Sequence, residues 1–434
     1  MKSPMMKTAV IATAALISAL SLNAENWTLD RCISYALDNN LTVKSRQIEI
    51  KSGELDVTAA RDRHLPNISA NASQSFSFGR GLTSDNTYTN RNTSNFGWSV
   101  NMSLPLFQGL SAVRQTKYAQ ANLRAMVEEL EAAKDDITLN VISAYLQVLY
   151  AGEMCNVAEE QLRLATVEQK RREELLEAGK IPELDLTEAR AQVAQNQLSL
   201  VNSQNDRTLA LVDLAQLLEL TDIDGFDIAP VEDDGLTLYS PEEVYNRALD
   251  TNHSLLAARR RIEAADRNIS LAKSSYLPNL SFNAGIGSNY YTVSGINSEN
   301  FGRQMDHNFN KSLGFSLSIP IFDAFSSRNS VRRAKIQHIN AQLQYETSER
   351  NLYKTIQQAY YQAQGATEKL RAAEISADAT REAFEAMQQK YDFGKANATE
   401  YEQARSNYVR ATVEAVQAKY ESILRRRILA FYNK

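Results

Sequence analysis

Few residues of this 434-residue chain are spaced for covalent chemistry. His64, His253, His307 and His338 are scattered, with no HExxH pair and no cysteine beside them, so no zinc-type ligand set forms. Cys32 and Cys155 each stand alone without a CxxC and read as buried thiols, although an exported chain can also pair such residues. No GxSxG turn marks a serine nucleophile. The pattern that does repeat is a charged glycine corner. Ala178–Arg190 reads AGKIPELDLTEAR, and Phe393–Arg405, 215 residues further on, reads FGKANATEYEQAR. In each, Gly-Lys (Gly179-Lys180, Gly394-Lys395) is followed by an acid six residues after the glycine, Asp185 or Glu400, and Ala-Arg closes the motif. Glycine there turns the chain at a helix C-terminus. Lysine suits that end of the helix dipole, and an acid suits the first turn of the helix that returns. Residues of this kind attract ions or present a surface. They break no bonds, and the expectation is no enzyme, no metal and no cofactor.

Such corners need long helices on both sides. The chain has 8 prolines and 16 glycines, most of them clustered. From Ser111 to Ala178 there is no proline and one glycine, Gly152; from Ser326 to Phe393 the same holds, with Gly365. Those gaps predict two very long helices. Leu352, Ile356, Ala359, Ala363, Ala366, Leu370, Ala373, Ala377, Thr380, Phe384, Met387 and Tyr391 follow at alternating steps of four and three. Subtracting 215 from the positions Leu352 to Thr380 gives Ile137, Val141, Ala144, Val148, Ala151, Cys155, Ala158, Leu162 and Ala165. A sustained heptad seam predicts coiled-coil packing, each long helix paired with a shorter antiparallel return helix. About 66 residues at ~1.5 Å each make a rod of roughly 100 Å.

The 215-residue register extends to the rest of the chain. Ala36-Leu-Asp-Asn-Asn40 recurs as Ala248-Leu-Asp-Thr-Asn252, and Leu65-Pro-Asn-Ile-Ser69 as Leu277-Pro-Asn-Leu-Ser281, both offset by 212. Ser103-Leu-Pro-Leu-Phe107 recurs as Ser318-Ile-Pro-Ile-Phe322 at 215, so a variable loop absorbs three extra residues between the second and third matches. A period this long is a domain duplication. The expected organisation is a signal segment over 1–24, a first repeat over 25–220 with its tip at 178–183, an acidic linker over 221–239, and a second repeat over 240–434 with its tip at 393–398. Ser240-Pro-Glu-Glu243 opens the second repeat as a capping box with proline at the first helical position.

Each repeat carries two alternating segments, at about 67–79 and 95–106, then at about 279–290 and 312–321. In the first, Ile68, Ala70, Ala72, Phe76 and Phe78 alternate with Ser69, Asn71, Ser73, Ser75 and Ser77, with Gln74 the exception. Phe96, Trp98, Val100, Met102, Leu104 and Leu106 continue the pattern, as do Leu280, Phe282, Ala284 and Ile286, and Leu313, Phe315, Leu317, Ile319 and Ile321. Apolar-out, small-polar-in alternation without Lys or Glu on the polar face predicts transmembrane β-strands, which need ~9–11 residues each. Four strands close no barrel, and open edges are not tolerated in lipid, so at least two chains must share one. Three would give twelve strands.

Lys2 and Lys7 precede an apolar run from Thr8 to Leu22, with Asn23-Ala24 behind it, so a secretory signal cut near Ala24 is expected. No cysteine at that point suggests a lipid anchor. No later run of 18 apolar residues predicts a helical span. A net charge of −5 speaks against a nucleic-acid surface.

Signal, duplicated helix–strand–strand–long helix–corner–helix order, and the corner pattern together resemble the TolC-like outer-membrane efflux proteins, over residues 25–434. The resemblance implies a mainly α homotrimer whose long helices form an α-barrel through the periplasm, joined to a 12-stranded β-barrel in outer-membrane lipid. It implies a passive exit duct of a tripartite efflux pump or type I secretion system, served by a periplasmic adaptor protein and, indirectly, an inner-membrane transporter. Gly179 and Gly394 match the tip glycines where the adaptor docks; Lys180 and Lys395 beside them read first as helix-end cations favoured by the macrodipole and, as the alternative, as adaptor contacts. Asp185 and Glu400 match acids just past the tip, and three Glu400 carboxylates would ring a cation-selective constriction. Equally, both acids can simply favour a helix N-terminus. Tyr391 matches a tyrosine that latches the closed tip to the first-copy acid. Two positions depart from the pattern: Ala396 replaces an expected basic residue, and Gln403 replaces a second ring acid. A periplasmic or outer-membrane coiled-coil scaffold without transport is the other architecture compatible with the helices.

Overall fold

The computed structural model describes residues 27–82, 86–231, 235 and 238–433, so the expected signal and cleavage point lie outside the described residues. The element order is helix–helix–strand–strand–long helix–helix, twice. In the first pass these are α1 (Leu29–Asn39), α2 (Leu41–Asp62), β1 (Asn67–Ser77), a small hairpin β2 (Arg80–Leu82) and β3 (Tyr88–Asn90), β4 (Thr93–Gln108), α3 (Ser111–Glu177) and α4 (Glu183–Leu217). In the second they are α5 (Pro241–Thr251), α6 (His253–Ala272) with a 3-10 turn behind it, β5 (Asn279–Val293), α7 (Phe301–His307), β6 (Asn310–Ser318), α8 (Ser326–Asp392) and α9 (Ala398–Phe431). The two long helices are each 67 residues, so their ends keep the 215-residue register. No described helix is long and apolar enough to cross a membrane.

The chain divides into two units, Met1–Tyr35 with Ala144–Glu232, and Ala36–Ser143 with Asp233–Lys434. In the first, α4 returns along the C-terminal half of α3, with Asn196 donating to the Gln161 carbonyl at 3.1 Å. Tyr145 is fully buried, and its hydroxyl lies 2.8 Å from the Trp27 carbonyl and 2.6 Å from the Ala229 carbonyl. The segments before α1 and after α4 are thereby strapped to α3, with a parallel bridge between Trp27 and Ile228. Arg207 adds a two-point bond to Asp227, at 2.9 and 3.0 Å. Cys32 and Cys155 are both free and buried. Burial pushes the Cys32 thiol up to about 12, with Arg31 opposing, and raises Cys155 as well.

The second unit holds the sheet and the second hairpin. Along α8 the heptad seam is what is covered: Leu352, Ile356, Ala359, Ala363, Ala366 and Phe384 are buried, and the remaining seam positions are half-buried. Leu352, Ile356, Ala359 and Ala363 join Val244, Ala248, Leu255 and Leu429 in one core, so α5, α6 and α9 share that seam. The Ser240–Glu243 capping box that opens α5 is present in both directions. Arg261 of α6 reaches Glu129 of α3 through two bonds, at 2.8 and 3.0 Å, and also contacts Asn122.

The four long strands form one antiparallel sheet in the order β1-β4-β5-β6, which leaves β1 and β6 as its edges. Directly opposed residues share a face. On one face Ile68 opposes Met102, Ala70 opposes Val100, Val100 opposes Ile286, Leu104 opposes Phe282, and Phe282 opposes Phe315. On the other, Ser69 opposes Asn101, Asn71 opposes Ser99, Ser99 opposes Gly287, and Gly285 opposes Ser312. The apolar face stands exposed, with Ile68 at 65%, Leu313 at 78% and Phe315 at 73%. Lys311 is the one charged residue in these four strands, and it opposes Ile286 on the apolar side. Alternation continues to Ile321, but β6 ends at Ser318, opposite the first residue of β5. Beyond that point there is no strand left to pair, and Pro320 offers no N–H.

Both strand-to-helix junctions use the same backbone. Gly109 and Leu110 have φ of 59 and 62°, and Ala324 and Phe325 have 51 and 64°. The pair of left-handed residues aims each long helix away from its strand.

Candidate functional site

The two corners are built alike. Gly179 and Gly394 both adopt φ +68°, and a Cβ added to either would meet nothing within 4 Å. At the first, the Gly179 N–H donates to the Leu176 carbonyl at 2.8 Å and the Lys180 N–H to the Leu175 carbonyl at 2.9 Å. At the second, the Gly394 N–H donates to the Tyr391 carbonyl at 3.0 Å and the Lys395 N–H to the Lys390 carbonyl at 2.7 Å. This paired closure is the Schellman arrangement, in which a left-handed residue lets the last carbonyls find donors. Both lysines are exposed at the corner, where their charges face solvent or a partner.

The return helices start differently. Pro182 precedes α4 without a side-chain cap, and Asp185 lies half-buried in its first turn beside Glu183. Asn397 caps α9: its side chain accepts from the Glu400 N–H at 2.8 Å, and the Glu400 carboxylate accepts from the Asn397 N–H at 3.1 Å. Glu400 is thus both an exposed carboxylate and half of a capping box. Gln403 is exposed on the next turn and donates to Asn407 at 3.2 Å. Tyr391 sits at the end of α8 and stacks on Tyr401 of α9, with ring centres 4.7 Å apart at 18°.

That last pair belongs to an aromatic zipper that the heptad seam of α8 alone does not announce. Phe384 lies 5.7 Å from Tyr401 and stacks on Tyr408 at 5.4 Å and 6°. A signal for it exists. Phe384 and Tyr391 are seven residues apart on one helix, and Tyr401 and Tyr408 seven apart on the other, so both pairs repeat at the heptad spacing. The first corner uses charge instead. Buried Arg172 donates to buried Glu168 at 2.9 Å and to the Asp185 carbonyl at 3.1 Å, clamping α3 to the first turn of α4. Arg405, buried at 6%, pairs with Glu402 at 2.8 Å within α9. No group of metal-ligating side chains occurs among the described residues.

A long heptad hairpin with a polar corner, carried twice by a chain that also holds an amphipathic four-stranded sheet, defines a membrane-channel class of protein. The family model for outer membrane efflux proteins matches residues 32–219 and again 244–430. The chain belongs to that family: it is an efflux channel protein of the outer membrane that extends into the periplasm. It is 21% identical over 419 residues to the outer membrane efflux protein BepC of Brucella suis biovar 1, covering 96% of this chain and 88% of that one. It is 24% identical over 330 residues to the outer membrane protein TolC of Vibrio cholerae, covering 75% and 73%. The fold matches that of the CmeC outer membrane channel of Campylobacter jejuni, with a TM-score of 0.75 over 93% of this chain and 85% of that one, at 18% identity.

Proposed function

We propose that three copies of this chain assemble into one duct, with twelve strands closing a barrel in the outer membrane and the long hairpins forming a helical tube below it. The observation that carries this reading is the sheet: four strands with their large apolar side chains on one face, a face of Ser, Asn and Gly on the other, and unpaired edges on β1 and β6. In lipid those edges require neighbours, and a second and third copy supply them. The duct is passive and serves a tripartite efflux pump or a type I secretion system. Its corners are the periplasmic end: Gly179, Lys180, Gly394 and Lys395 form the rim that a periplasmic adaptor protein engages, and an inner-membrane transporter acts through that adaptor. Glu400 is the acid of the constriction, and Tyr391, Gln403 and Asp185 belong to the same gate. The exposed Glu400 carboxylate, held at a helix start, supports that assignment.

The test is the mass and conductance of the purified protein. A particle of three chains that forms discrete pores in planar bilayers is expected. A monomer, or a water-soluble particle without pores, overturns the proposal.

A further inference from the structure

The helix α7 lies where no part of the duct reading requires a helix. β5 runs to Val293, but β6 pairs with it only as far as Gly287 opposite Asn310, leaving the last turns of β5 without a strand on that side. Side chains from α7 and the residue after it take over. Gln304 accepts from the Tyr291 N–H at 2.9 Å and donates to the Tyr291 carbonyl at 3.1 Å, so one carboxamide stands in for a strand's peptide group. Asn308 donates to the Asn289 carbonyl at 2.7 Å. On the apolar face, Ser288 is 4% exposed and donates to the Met305 carbonyl at 2.7 Å. A serine among rings is thereby satisfied without water, as a bilayer demands.

The apolar side of this segment continues the apolar face of the sheet. Phe301 packs on Phe96 at 5.8 Å and Tyr290 at 5.1 Å, and Phe309 lies 6.3 Å from Trp98. Phe301 is still 51% exposed and Phe309 43%. Ten steps separate Leu280 from Tyr290 along β5. At about 3.4 Å each, tilted by about 40°, they rise about 26 Å, close to the ~25 Å apolar band of a membrane barrel. The row of Gln74, Phe96 and Tyr290 therefore lies at the rim of the band, where polar and aromatic side chains mix: beyond it the same face carries Ser94 and Thr292, with Phe76 opposite Ser94. That rim is the one remote from the helices, since α2 enters and α3 leaves at the other end of the strands. Across the β5–β6 connection and the start of β6, Arg303 and Lys311 are matched by Glu299 and Asp306, and the further cations of this end, Arg80 and Arg91, stand on the β1–β4 connection, so ring burial is the contact that α7 offers. Aromatic side chains favour that boundary.

We propose that the α7 segment, residues 301–309, is interfacial: it lies in the outer lipid–water boundary, sets Phe301 and Phe309 among the lipid headgroups and upper acyl chains, and fixes the depth at which the barrel sits. The partner is membrane lipid, and the inference rests on the barrel reading given above. Tryptophan quenching by brominated lipids separates the two. In a Trp27→Phe, Trp98→Phe background, single reporters Phe301→Trp, Phe309→Trp and Leu313→Trp are placed in the full protein and reconstituted into phosphatidylcholine vesicles. The lipid carries bromine either near the headgroup end of the acyl chain or at mid-chain. Leu313→Trp, in the middle of the apolar face, should lose most fluorescence to mid-chain bromine. Phe301→Trp and Phe309→Trp should lose more to the shallow bromine than to the deep one. If Leu313→Trp is quenched while both α7 reporters are untouched, α7 faces water or a neighbouring copy and the proposal fails with the barrel intact. Stronger quenching of the α7 reporters by mid-chain bromine also overturns an interfacial position. If Leu313→Trp itself is unquenched, the barrel reading falls, and this proposal with it.

Discussion

Two residues at the second corner separate a structural role from a functional one. In the capping box Glu400 needs only an acceptor to reach the Asn397 N–H, and glutamine provides one. Glu400→Gln therefore removes charge while keeping the cap. The expected outcome is unchanged helix content with reduced preference for cations over anions in single-channel recordings; unchanged selectivity would make Glu400 a cap and nothing more. The glycines divide in the same way. Gly394→Ala meets no atom and incurs only the left-handed backbone cost of about 1 kcal/mol. Gly109→Ala adds a Cβ 2.7 Å from both the Leu277 Cβ and the Ser274 carbonyl oxygen, so about 2–4 kcal/mol is expected. Thermal unfolding followed by circular dichroism should rank the two variants in that order.

The two hairpins are held near their corners by different chemistry, and substitutions should reveal it. Tyr401 is buried at 4% between Tyr391 and Phe384. Tyr401→Ala should cost about 3–5 kcal/mol and speed hydrogen exchange through the end of α8 and the start of α9. At the first corner, Arg172→Ala takes the 2.9 Å partner from buried Glu168 and leaves it Arg171 at 4.0 Å, so about 2–3 kcal/mol is expected, whereas replacing Glu168 and Arg172 by Met and Leu should recover most of that loss. The long helices, their seam and the four alternating strands are legible in the sequence because each is a periodic signal. The paired glycine corners are legible because they repeat. What stays hidden is aperiodic or partner-dependent. Between the strands expected at about 279–290 and 312–321 only a variable loop is read, and α7 within it offers only an Asn300 cap as a clue. The small β2–β3 hairpin has three-residue strands, too short for alternation to register. The zipper is hidden because half of it lies across the corner in α9, where the seam of α8 does not lead.

For the molecule as a whole, the thiols decide how its partners can be sought. Cys32 and Cys155 are buried, and burial raises the pKa of both. Neither should react with maleimide in the folded protein near neutral pH, which leaves an introduced Gly394→Cys as the reactive site. Crosslinking from that position in cells should recover a periplasmic adaptor protein; recovery of this chain alone would count against docking at the rim. Because the folded Cys32 pKa is raised, its contribution to stability is whole below about 9 and is lost as pH rises toward about 12. Midpoints of thermal unfolding should fall across that window, and Cys32→Ala should flatten the decline.

The face of Ser, Asn and Gly has a consequence for traffic. Within the proposed duct it would be the wall a passing solute sees, offering weak hydrogen bonds at every step and, in the four strands, no fixed charge of its own. A wall of that kind has no deep wells, because each hydrogen bond the solute gives up is replaced by a similar one a few ångströms on. Transit time then depends on the size of the solute and hardly on its chemistry. Discrimination must fall at the charged corners and on the machinery that loads them, and the upper half of the tube is free to carry whatever is delivered.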